Sequence, residues 1–162
     1  MSLWDETSEQ LSNVLGNAGL IDEAVPVAVY PAAIYVRTGT SWSLVSVRQV
    51  AGVEMVLCVA GVLAEVPVTD RLTAELAARS TANQVGSYLP VIPAGKSTCG
   101  VAFKTAVAPY RALLENLQDS TTYARAVVSA TLGCADEIRE EFLGSFGGTP
   151  WDYEHRGYFV NF

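Results

Sequence analysis

The spacing of apolar residues along this chain alternates between a helical and an extended period. Between Ser2 and Ala18, the residues Trp4, Leu11, Val14, Leu15 and Ala18 recur on one side of a helix. Ser2 is a suitable N-cap, acidic residues fill the first turns, where the helix dipole favours them, and Gly16 and Gly19 end the run. From Val25 the period shortens. The turn-forming sequences T-G-T-S and A-G-V divide a β-branched stretch into three strands, at roughly 27–37, 42–50 and 53–66. In the second strand Trp42, Leu44 and Ser46 alternate with Ser43, Val45 and Val47. The third sets Val53, Met55, Leu57 and Val59 against Glu54, Val56 and Cys58; two largely apolar faces suit a central strand. Such short connections predict an antiparallel meander.

A second helix follows in "TDRLTAELAARSTANQVGS", capped by Thr69 or Asp70, with Leu72, Leu76 and Ala77 as its apolar stripe and Gly86 beyond its end. The stretch "YLPVIPAGKSTCGVAFKTAV" returns to strand. Pro90 and Pro93 restrict its first half to an edge or irregular strand, whereas Cys99, Val101, Phe103, Thr105 and Val107 alternate cleanly. Pro109 opens a final helical region that "DSTT" at 119–122 is expected to break or kink. Beyond it, Ala124, Val128, Leu132, Ala135, Ile138 and Phe142 form a helical stripe that ends at "GSFGG". The predicted fold is α+β, in the order α-β-β-β-α-β-β-α. It has an antiparallel sheet of about five strands, with helices packed mainly on one face. Residues 1–148 form one domain and 149–162 an aromatic tail.

Composition narrows the function. Half of the residues are apolar, so the chain can form a core. The longest apolar run, Met55 to Ala64, is far shorter than the roughly 20 residues a membrane helix needs. No basic start with an apolar stretch marks a secretory signal, so a cytoplasmic protein without membrane contact is expected. The net charge of −7 opposes nucleic-acid binding. No acid lies between Glu75 and Glu115, but Arg79, Lys96, Lys104 and Arg111 are too dispersed to form a nucleic-acid footprint. Cys58, Cys99 and Cys134 are odd in number and widely spaced, which argues against disulfides and zinc.

Catalytic patterns fail on inspection. "PVIPAGKS" ends like a phosphate-binding loop, yet Pro90 stands in place of the first glycine, Pro93 lacks an N–H, and a strand follows. Glu137 and Glu141 in "DEIREE" share a helical face without the further ligands a cation needs. The sole histidine, His155, lies between Glu154 and Arg156, with no nucleophile motif around it. Neither an enzyme nor a cofactor is expected.

The order of elements, and the stretches "VEMVLCVAGVLAEVPV", "LTAELAARSTANQ", "CGVAFKTAVAPYRALLENLQ" and "CADEIREEFLGSFGG", resemble the type III secretion chaperone-like fold and its YbjN-type family. The resemblance spans most of residues 3 to 148. It implies a small, acidic, dimeric cytoplasmic protein that binds polypeptide. The aromatic tail and the two prolines of the penultimate strand depart from the family pattern.

A sheet covered by helices on one side leaves its other face open to a partner copy, a client polypeptide or the tail. Trp151, Tyr153, Tyr158, Phe159 and Phe162 are the candidate interaction residues, expected to dock on the chain's own dimer or a neighbouring subunit. The leading reading is a non-enzymatic, homodimeric, chaperone-like binding protein. The alternative is a small-molecule domain with an apolar pocket walled by Tyr35, Trp42, Met55 and Phe103.

Overall fold

The computed structural model describes residues 23–26, 33–84, 86–93, 95–109 and 117–161. The expected first helix, Arg111, Glu115 and Phe162 lie outside them, as do the side chains of Val107, Ala124 and Phe159. The elements run β1 (Glu23–Pro26), β2 (Ala33–Thr38), β3 (Ser41–Val50), β4 (Val53–Pro67), α1 (Asp70–Ala82), β5 (Ser87–Val91), β6 (Thr98–Pro109), α2 (Leu117–Phe146) and β7 (Thr149–Pro150). A 3-10 helix, Tyr153–Asn161, follows. The class is α+β as expected.

The strands form a sheet in the order β1-β2-β3-β4-β6-β5, with β7 also paired to β4. Every pairing is antiparallel. Two strands depart from the sequence expectation. Of the first expected strand, 27–37, residues 33–37 lie in β2 and 27–32 lie outside the described residues, and β1 before it pairs Glu23 with Arg37. β7 lies in the segment read from sequence as a tail. Pro90 sits in β5, at the end of the strand order, where a missing N–H breaks no ladder. The following loop is a turn, with the Lys96 amide donating to the Pro93 carbonyl at 3.2 Å, and it enters strand β6.

Central β4 outruns its neighbour. β3 pairs with it up to Ser43↔Ala60, and β7 takes over the same edge at Leu63↔Pro150 and Ala64↔Thr149. A bulge separates these stretches on the β6 side, so successive residues Val62 and Leu63 both face the helices. Arg139 of α2 fills the gap, donating from Nε to the Val62 carbonyl and from Nη2 to the Gly61 carbonyl, each at 3.1 Å. These carbonyls lie between the stretches that pair with β3 and β7, and Arg139 supplies donors to both.

Both described helices cover one face. Leu72 and Leu76 of α1 join Val128, Leu132, Ala135, Ile138 and Phe142 of α2 over Val36, Val45, Cys58, Val101 and Phe103. Each Val, Leu, Ile and Phe among them contributes about 1.5–3 kcal/mol on leaving water. Thr69 caps α1 by accepting the Leu72 amide at 3.1 Å. Ala77, expected in the stripe, is exposed. The helices meet where Arg79 pairs with Glu75 and Glu141 and lies 5.7 Å from the Phe142 ring centre. A buried hydrogen bond of 2.9 Å between Thr105 and Thr131 ties α2 to β6.

The expected break at 119–122 is absent. α2 is continuous through it, about 45 Å long at 1.5 Å per residue. Asp, Ser and Thr lower helix propensity by only a few tenths of a kcal/mol each, which burial of the long stripe outweighs. Gly147, at φ 75°, stops the helix, with its amide donating to the Leu143 carbonyl at 3.1 Å.

Candidate interaction surface

Alternation along β2 and β3 places Tyr35, Trp42 and Leu44 on the face away from the helices, beside Val59 of β4 and Ala102 of β6. Tyr35 and Trp42 are diagonal neighbours across the β2–β3 ladder, where Tyr35 pairs with Leu44 and Arg37 with Trp42. Their rings stack, with centres 4.7 Å apart and planes 11° from parallel. This pair floors a surface that the C-terminal segment covers.

Trp151 is the centre of that cover and is 4% exposed. Its indole lies over two strand glycines. A Cβ on Gly61 would sit 2.3 Å from the indole, and one on Gly100 would sit 2.7 Å from it. Only a residue without a side chain lets the ring lie against the backbone here. The indole Nε1–H donates to the Tyr35 hydroxyl at 2.8 Å, and that hydroxyl donates to the Asp152 carbonyl at 3.1 Å. Burial raises the Tyr35 pKa well above the ordinary phenol value, opposed in part by the bond from Trp151. The hydroxyl therefore stays protonated and keeps both roles.

The 3-10 helix brings two more rings onto the surface. Tyr158 lies 5.3 Å from Trp151 between ring centres, over Gly100. Tyr153 lies 5.4 Å from Trp42, and the Arg156 guanidinium stacks 4.2 Å from its ring centre. Asp152 opens this turn by accepting the Glu154 amide at 2.9 Å. His155 Nδ1 lies 2.8 Å from Asp152 Oδ1 and 3.2 Å from the Asp152 amide nitrogen. A protonated Nδ1 donates to the carboxylate, and a bare one accepts from the amide. Either way the ring anchors the turn.

The structure thus brings Trp151, Tyr153 and Tyr158 together on the sheet of their own chain. Among the described residues, this face is closed by the chain's own tail. The four proposed pocket residues do not share a wall: Tyr35 and Trp42 lie under the tail, and Phe103 lies on the helix side. A cavity of about 320 Å³ occurs elsewhere, lined by Arg79, Ala82, Asn83, Gln84, Tyr88, Glu137 and Ile138. Sequence reasoning missed Gly61 and Gly100. The available signal was an isolated glycine inside each of the strand patterns "VAGVLA" and "TCGVAF", which marks a close backbone approach.

Among the described residues, no three His, Cys, Asp or Glu side chains gather as a metal site, and no helix is long and apolar enough to cross a membrane. No family model matches the chain, and no curated protein matches it in sequence. Among solved structures, the chain is similar to YbjN from E. coli, described as a proposed transcription regulator. The TM-score is 0.42 and the identity 12%, over 77% of this chain and 90% of that one.

Proposed function

We propose that this chain is a non-enzymatic protein-binding domain, homodimeric and chaperone-like, whose second sheet face accepts extended polypeptide bearing aromatic anchors. One observation carries the reading. The C-terminal segment already occupies that face through a two-residue strand on β4 and an indole seated on Gly61 and Gly100. Backbone pairing plus side-chain anchors is how peptides add to sheets in general. The Tyr35 hydroxyl beneath the indole favours a ring that carries an N–H donor. The free thiols of Cys58, Cys99 and Cys134 favour a reducing compartment, in keeping with the cytoplasm.

The test uses the full chain with Trp151→Ala, which vacates the indole seat. A synthetic peptide of residues 149–162 should bind this variant, and should bind the unaltered chain more weakly because the tethered tail competes. No binding to a variant that retains native circular dichroism rejects a peptide-accepting face.

A further inference from the structure

The tail is fixed by docking alone, and it joins α2 through Gly147 and Gly148. Both glycines have left-handed backbone angles, φ 75° and 94°. A Cβ on Gly148 would lie 2.7 Å from the Ala64 carbonyl oxygen, so this tight return to the sheet is open only to glycine. The same two residues can instead extend at no steric cost and carry β7 and Trp151 away from their own sheet. We propose that two copies of this chain exchange their C-terminal segments about Gly147–Gly148, each tail seating its Trp151 on the other copy's Gly61 and Gly100. This inference rests on the homodimeric reading above and names its geometry.

Two features select a second copy as the occupant. The surface is complementary to this chain's own tail down to the hydrogen bond from the indole to Tyr35, so another copy supplies a ligand of proven fit. Exchange needs no new surface, because it reuses contacts that one chain makes with itself. A short joint that must turn sharply favours exchange, and a longer one favours return.

The test combines mass with linkage. Ala64 and Thr149 are cross-strand partners, so an Ala64→Cys/Thr149→Cys variant places two thiols within disulfide reach. Light scattering on the full chain should give the mass of two copies. Mild oxidation of the variant dimer should give covalent dimers on a denaturing gel, with the unaltered chain as control for its native thiols. Inserting six Gly/Ser residues between Gly147 and Gly148 should return the chain to monomer. A monomer at all concentrations overturns both the homodimer and the exchange. A dimer that cross-links only within each chain, or whose mass is indifferent to the insertion, overturns the exchange and leaves the homodimer standing. If the disulfide forms in neither mode, the insertion result decides alone.

Discussion

Trp151 donates its indole N–H to the Tyr35 hydroxyl at 2.8 Å across 116 residues of chain, and that bond joins the last segment to the first half of the sheet. Truncating Trp151 to Ala removes a buried ring and should lower unfolding free energy by about 3–5 kcal/mol. Tyr35→Phe keeps the ring stack on Trp42 but leaves the indole N–H and the Asp152 carbonyl without their partner. A loss of about 1–3 kcal/mol is expected, read by urea unfolding. Equal stability of Tyr35→Phe and the unaltered chain would show that the hydroxyl does not hold the tail.

Trp151 supplies the nearest atoms that a side chain on Gly61 would meet. Gly61→Ala in the unaltered chain forces the indole off the strand and is expected to destabilise by about 1–3 kcal/mol. In a Trp151→Ala background the closest clash is gone, and the same change should cost much less, with alanine's smaller strand entropy loss in its favour. A double-mutant cycle measures the difference. Additive effects would place the indole elsewhere.

Arg139 should matter for its backbone bonds more than for its charge. Arg139→Met strips donors from the Gly61 and Val62 carbonyls and should lower stability by about 1–3 kcal/mol. Asp136→Asn removes an ion-pair partner that is half exposed, and is expected to change stability by less than about 1 kcal/mol. Thermal unfolding of the two variants ranks them, and a larger effect for Asp136→Asn would reverse the assignment.

Alkaline pH should weaken the fold through its buried thiols. Burial pushes Cys58 from the ordinary 9.0 up to about 12, with the Thr131 and Ser43 hydroxyls offsetting part of the rise, and it pushes Cys99 up to about 11. The folded chain therefore retains thiol protons that the unfolded chain releases. Their contribution is fully present below pH 9.0 and is lost as pH rises through about 11 and then 12. Urea midpoints should fall across that window, and Cys58→Ala should flatten the decline. At pH 8, alkylation of native protein should modify Cys134, the half-buried thiol, and spare Cys58 and Cys99 until the chain unfolds.

Much of this architecture was legible in local pattern. Thr69 announced its cap, and Pro90 announced its place in an outer strand. The alternation of Cys99, Val101 and Phe103 announced a strand with one consistent face. These features depend on neighbours within a turn or along one strand, so periodicity reports them. Failures came where distant contacts overrode local preference. Asp119 and Ser120 suit a cap, so "DSTT" predicts a break or kink, yet α2 runs through it. Trp42 and Phe103 read as companions, yet they lie on opposite sides of the sheet, because alternation within two strands does not say which faces coincide.

The sequence by itself determined the α+β class, the antiparallel meander and the second helix with its cap, since each is a matter of spacing and side-chain chemistry along the chain. Only the tertiary structure decided where the tail goes. Its seat is assembled from Tyr35, Gly61 and Gly100 on three separate strands, and two of those contribute by having no side chain. A surface defined by an absence, at positions that only pairing brings together, leaves no periodicity to read.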